Sequence, residues 1–120
     1  MDIALWIASG LLALAYVFAG ATKALRPKDK LTNLPWTEDY SAGTVKFIGI
    51  AEFLGGIGLI LPWLTGIAPV LTPIAAVGLV IVQVLAIVAH VRRREFSVIP
   101  MNVVLLLIAL LIAIFRFIQL

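Results

Sequence analysis

Four runs of apolar residues, each about as long as a bilayer is thick, leave this chain little choice of fold. They cover Ile3 to Leu25, Val45 to Leu64, Pro73 to Ala89 and Met101 to Leu120. A hydrocarbon core of roughly 30 Å needs about 20 helical residues to cross it, so four crossings use nearly all of a 120-residue chain. Strands are a poor alternative, because the runs are continuously apolar and do not alternate with the period of two that barrel strands require. Composition agrees: 63% of residues are hydrophobic, 12% are charged, and the mean hydropathy is +1.18. The expected fold class is all-α, a membrane-spanning four-helix bundle in a single domain over residues 1–120, with helices at about 3–25, 45–64, 73–90 and 101–119.

Local signals place the ends of these helices. The chain opens Met1-Asp2 with no basic residue before the first run, which is also too long for a secretory-signal core, so the run is expected to stay as a helix. Arg26-Pro27 ends it, since proline lacks an amide hydrogen and restricts the residue before it. Pro35-Trp36-Thr37-Glu38-Asp39-Tyr40 then reads as a short interfacial helix after the first span, with proline early, acids in the first turn and two aromatics one turn apart. The second span carries Gly49, Gly55, Gly56 and Gly58, which suit close approach of another backbone in a membrane. It should close at Thr65-Gly66 with a left-handed cap. Thr72-Pro73 reads as an N-cap and first-position proline, the alternative being a start at Pro69 with a kink at Pro73. Pro100 opens the last helix, with Asn102 in its first turn.

Cysteine is absent, which excludes disulfides, thiolate chemistry, iron–sulfur ligation and cysteine-based metal sites. No metal site is expected, because the lone histidine, His90, offers one ligand per chain. The net charge of +3 points to topology and not to nucleic acid, because eight of the nine basic residues fall on one side of a four-helix arrangement. Lys23, Arg26, Lys28, Lys30 and Lys46 lie in or beside the first connection and Arg92, Arg93 and Arg94 in the third. The positive-inside rule puts the loops at 26–43 and 91–99 in the cytoplasm and both termini outside it.

Residues seven, eleven and fourteen apart return to nearly the same face of a helix. Asp2, Ser9, Ala13, Tyr16, Gly20 and Lys23 form one such stripe, expected to face protein. Glu52 emerges beside Gly49, Gly55 and Gly56, so its neighbour should be another helix. Gln83 and His90 share a face of the third helix, and Asn102, Ala109, Ala113 and Arg116 share one of the fourth. Ionisable groups inside a membrane are functional candidates by default. The candidate polar pocket is therefore Tyr16, Lys23, Glu52, Gln83, His90 and Asn102, in the cytoplasmic half. Lys23 with Glu52 and Asp2 with Arg116 are the candidate structural ion pairs, and Arg116 is expected to reach water near the chain end.

The segments Ala19-Gly20-Ala21-Thr22-Lys23, Ile48-Gly49-Ile50-Ala51-Glu52-Phe53-Leu54-Gly55-Gly56, Leu61-Pro62-Trp63-Leu64-Thr65-Gly66 and Ala89-His90-Val91-Arg92-Arg93 together resemble the DoxX-like family. The resemblance runs over nearly the whole chain. It implies a small four-helix protein of a bacterial-type inner membrane. The family is named from a subunit of an archaeal thiosulfate:quinone oxidoreductase, and distant animal relatives look like assembly factors. What this implies is a membrane subunit of an oxidoreductase system, with a quinone or lipid-like ligand in a pocket lined by Tyr16, Lys23, Glu52, Gln83 and His90, in contact with membrane lipid and with an oxidoreductase partner or a second copy of the chain. Whether the chain is an enzyme is left open, since no residue here marks a redox centre. The competing readings are a non-enzymatic anchor or assembly factor and, third, a small-solute transporter.

Overall fold

The computed structural model describes residues 2–26 and 40–120, and of Asp2 only the backbone. Among them are five α-helices and no strand. α1 spans Asp2–Leu25, α2 Ala42–Gly58, α3 Leu61–Thr65, α4 Leu71–Arg92 and α5 Ile99–Ile118, with a 3₁₀ turn at Phe96–Val98 ahead of α5. Four stretches are long and apolar enough to cross a membrane: Ile3–Leu25, Ala42–Thr65, Leu71–Arg92 and Phe96–Ile118. The expected interfacial helix falls on residues 35–40 and lies, Tyr40 apart, outside the described residues.

The helices run up and down around a square. α1 packs on α2 and α4 on α5, and these two hairpins meet where α2 faces α4 and α1 faces α5. Lys23, Lys46 and Arg92 gather at one end, called here the basic end; Trp6, Trp63 and Arg116 lie at the other. The core is Leu5, Leu12, Ala13 and Tyr16 of α1, Leu59 after α2, Ala76 and Leu79 of α4, and Ala109, Ile112 and Ala113 of α5. The outward faces carry Leu14, Phe18, Leu54, Leu85 and Leu111, each more than half exposed in the isolated chain. Apolar outside and partly polar inside is the pattern of a bundle solvated by lipid.

The stripe on α1 faces inward as its spacing requires: Ser9, Ala13, Tyr16 and Gly20 are all buried. α1 and α2 then touch backbone to backbone. A methyl group added at Gly20 would come within 2.5 Å of the Gly49 carbonyl oxygen, and one added at Gly49 within 2.6 Å of the Ala24 nitrogen. Only glycine at both positions allows that approach.

The second span is not one helix. α2 stops at Gly58, and α3 restarts at Leu61 with Pro62 in its first turn. Continuing the helix would need the residue 62 amide to donate to the Gly58 carbonyl, and Pro62 has no such hydrogen. The hydroxyl of Thr72 supplies the missing bond, donating to Gly58 O at 2.8 Å from the first turn of α4. Thr72 is therefore a cross-helix donor and not the N-cap its sequence position suggested; α4 begins at Leu71, with Val70 before it. Pro73 sits in the first turn, where its missing hydrogen leaves no carbonyl unpaired. Gly66 does end α3 in the left-handed conformation, with φ 73°.

Candidate functional site

The close approach of α1 and α2 sets up the first polar contact. Lys23 lies one turn after Gly20, Glu52 one turn after Gly49, and the antiparallel packing brings the two side chains together. Lys23 Nζ sits 2.5 Å from Glu52 Oε1, with the two side chains 13% and 5% exposed. Two ions at this depth tolerate the low dielectric because each is the other's partner.

A second contact joins α1 to α4. Gln83 Nε2 donates to the Tyr16 hydroxyl inside the core. The Gln83 Oε1 and the Ser9 hydroxyl oxygen are buried without a hydrogen-bond partner among the described residues. Tyr16 and Lys23 lie seven residues apart on the inward face of α1, so the two contacts are about two helical turns apart along one stripe.

His90 and Asn102 do not join them. His90 Nδ1 pairs instead with Glu95 Oε1 at 2.9 Å, and Arg93 Nε donates to the other carboxylate oxygen at 3.4 Å. The cause is local. α4 ends with Arg94 at φ 57°, while the Glu95 amide donates to His90 O and the Arg94 amide to Val91 O. This is the double bond pattern of a Schellman cap. It folds Glu95 back over the last turn, within reach of His90. The hydrogen bond with His90 holds the Glu95 carboxyl below the usual carboxylate range, outweighing the opposing desolvation, with a lesser contribution from Arg93. Asn102 is half-buried at the start of α5 and makes no side-chain hydrogen bond among the described residues.

At the opposite end Arg116 is 1% exposed and does not reach water. Its guanidinium lies 4.9 Å from the Trp6 ring centroid and 4.4 Å from that of Trp63, and one NH donates to Gln119 Oε1 at 2.8 Å. Stacking on two aromatic faces suits a weakly hydrated planar cation. The expected contact with Asp2 involves a side chain outside the described residues. Trp6 and Trp63 did not figure as site residues in the sequence. The signal was there: Arg116 shares the small-residue face with Ala109 and Ala113, so it had to meet whatever α1 and the end of the second span present at its depth.

Two cavities adjoin these contacts. One, of about 450 Å³, lies between α2 and α4 under α3, lined by Gly55, Gly58, Leu61, Ala75, Gly78 and Val82 among others, all apolar. The other, of about 240 Å³, is at the basic end and is lined by Lys23, Arg26, Ala42, Val45 and Lys46 with their neighbours. Of the six pocket candidates only Lys23 lines either cavity.

A family model described as the DoxX-like family matches residues 7–112. The chain belongs to the DoxX-like family. Comparisons with curated proteins and with solved structures gave no match. Both core contacts fall inside the DoxX-like span, as do both cavities, whereas Trp6 and Arg116 lie outside it. A quinone headgroup, which the family name raises, needs hydrogen-bond donors facing an apolar slot. Here the Lys23 ammonium is held on Glu52, Gln83 Nε2 on Tyr16, and the larger cavity is lined by apolar residues only. The larger cavity thus offers such a headgroup no side-chain donor.

Proposed function

We propose that this DoxX-like chain is a non-catalytic membrane subunit that anchors or assembles a partner, and that it receives an apolar transmembrane helix of that partner in the groove between α2 and α4. The observation that supports this reading is the groove itself. Its floor is made of Gly55, Gly58, Ala75 and Gly78, while Leu54, Leu61, Leu71 and Ile74 on its rim are 49–60% exposed. Small residues between larger ones are what a membrane helix needs to approach closely. The ionisable side chains of the interior are engaged elsewhere, Lys23 with Glu52, Tyr16 with Gln83 and Arg116 with Trp6, Trp63 and Gln119, and no acid, base or nucleophile lines that groove. The basic end lies on the cytoplasmic side of a bacterial-type inner membrane in this reading, with both termini outside.

Gly78 offers the test. A Cβ added there would meet nothing within 4 Å in the chain itself, so Gly78→Leu is expected to fill the groove, with retained helicity by circular dichroism as the check that the bundle still folds. A photoreactive residue at Ile74 in native membranes is expected to form a protein adduct that Gly78→Leu abolishes. An adduct with a lipid or quinone alone would favour the second reading, a lipid-like-ligand subunit of an oxidoreductase system. The buried Ser9 hydroxyl, a donor with no partner among the described residues, is the feature that speaks for that reading.

A further inference from the structure

We infer that the cavity at the basic end is a binding site for the phosphate-bearing headgroup of an anionic phospholipid. Three cationic residues, Lys23, Arg26 and Lys46, line a space of about 240 Å³, well above the ~30 Å³ share of one water. Lys23 is already held on Glu52. Arg26 and Lys46 are exposed and take part in no ion pair among the described residues, so their charge is available to an incoming anion. The first turn of α2 adds to the field: Ala42 lines the cavity, and no acidic residue in that turn offsets the positive end of the helix. A cavity with this charge selects a phosphate.

The apolar part of the lining selects a lipid over a free phosphate. Leu25 and Val45 share the cavity wall with the cations, and Leu25 and Phe47 beside it are 82% and 71% exposed. Leu25 and Phe47, unlike the buried Val45, belong to the outward apolar faces of α1 and α2, where acyl chains would lie. A basic pocket between spans at the membrane surface is the arrangement that recognises anionic headgroups. The site is separate from the α2–α4 groove and does not depend on the function proposed for it.

The test uses the full chain in mild detergent, titrated with phosphatidylglycerol and followed by native mass spectrometry and by the thermal midpoint. One saturable phosphatidylglycerol per chain is expected, with a raised midpoint, and phosphatidylcholine should give neither. Arg26→Gln and Lys46→Gln should each weaken binding about fivefold. The charge-matched controls Arg92→Gln and Arg94→Gln, at the same end but away from the cavity, should leave it unchanged. Both target positions are exposed, so retained helicity by circular dichroism is expected. Equal losses in the control variants would overturn the site in favour of diffuse attraction. Equally tight binding of water-soluble glycerol phosphate would overturn the lipid assignment, and an absence of saturable binding would overturn both.

Discussion

The contact of α1 with α2 makes a prediction whose sign depends on position along a single helix. At Gly20 an added Cβ would stand 2.5 Å from Gly49 O and 2.9 Å from the Phe53 Cα, against 3.4 Å for the start of ordinary contact. The deficit at the carbonyl is 3.4 − 2.5 = 0.9 Å. The obstacles are backbone atoms, which cannot rotate aside, so the helices must separate by nearly that amount. Overpacking of this kind costs about 1–3 kcal/mol, while exchanging glycine for alanine within a helix returns up to about 1 kcal/mol of propensity. Gly20→Ala should therefore destabilise the bundle by about 1–2 kcal/mol. At Gly10, on the same helix, a Cβ meets nothing within 4 Å, and Gly10→Ala should be neutral or stabilising by up to about 1 kcal/mol. Reversible unfolding of both variants in mixed micelles of increasing SDS content would measure the difference. Because both glycines guard one gap, Gly20→Ala combined with Gly49→Ala should cost less than the sum of the two. Equal stabilities for the Gly10 and Gly20 variants would refute the close-contact reasoning.

Four further outcomes are expected. Glu52→Gln or Lys23→Met alone should cost about 3–5 kcal/mol by stranding the other charge, and the double variant less than their sum; additive losses in the same unfolding assay would mean the pair does not interact. Arg94→Gly should stabilise by about 1 kcal/mol, since Arg94 occupies a left-handed cap position that glycine adopts without a Cβ penalty; hydrogen exchange at the end of α4 should slow. The Glu95 carboxyl titrates lower when folded than when unfolded, so its contribution is complete above the unfolded carboxylate pKa and lost as pH falls through the folded one. Amide exchange around residues 90–95, compared with Glu95→Gln, should show this loss of protection in acid and none at neutral pH. A cysteine at Leu120 should react with a membrane-impermeant reagent in intact cells while one at Arg92 resists it; the reverse pattern would invert the proposed orientation.

How far the sequence could be read depended on whether a property belongs to one helix or to two. The inward stripe of α1 and the burial of Glu52, Gln83 and Ala109 follow from spacing within a single helix. The Lys23–Glu52 contact was legible too, because both are inward charges at the same end of consecutive spans. A common pocket for all six polar residues was not a safe step from the same projection. Spacing gives azimuth and depth but not which partner is reached first: Gln83 meets Tyr16, while His90 meets Glu95 only five residues on, once the chain has reversed. The second span looked continuous from 45 to 64 because hydropathy does not register one missing amide hydrogen. Pro62 interrupts it, and the substitute donor, Thr72, comes from the other hairpin. Nothing within the last helix shows that Arg116 stays buried, because its aromatic partners, Trp6 and Trp63, lie on two other segments.

The adjacency of Lys23 and Glu52 also bears on how such a chain enters a membrane. A lysine carried alone to the centre of a bilayer costs about 3 kcal/mol by insertion scales, and less near a helix end. The second span brings its own charge, weakened further by a cluster of glycines. Each span is thus a poor candidate for release into lipid by itself, but the partner of each charge emerges in the very next span. The first two spans are suited to leave the insertion machinery together, as a neutral hairpin already in register at Gly20 and Gly49, and the order of synthesis becomes part of what assembles the bundle.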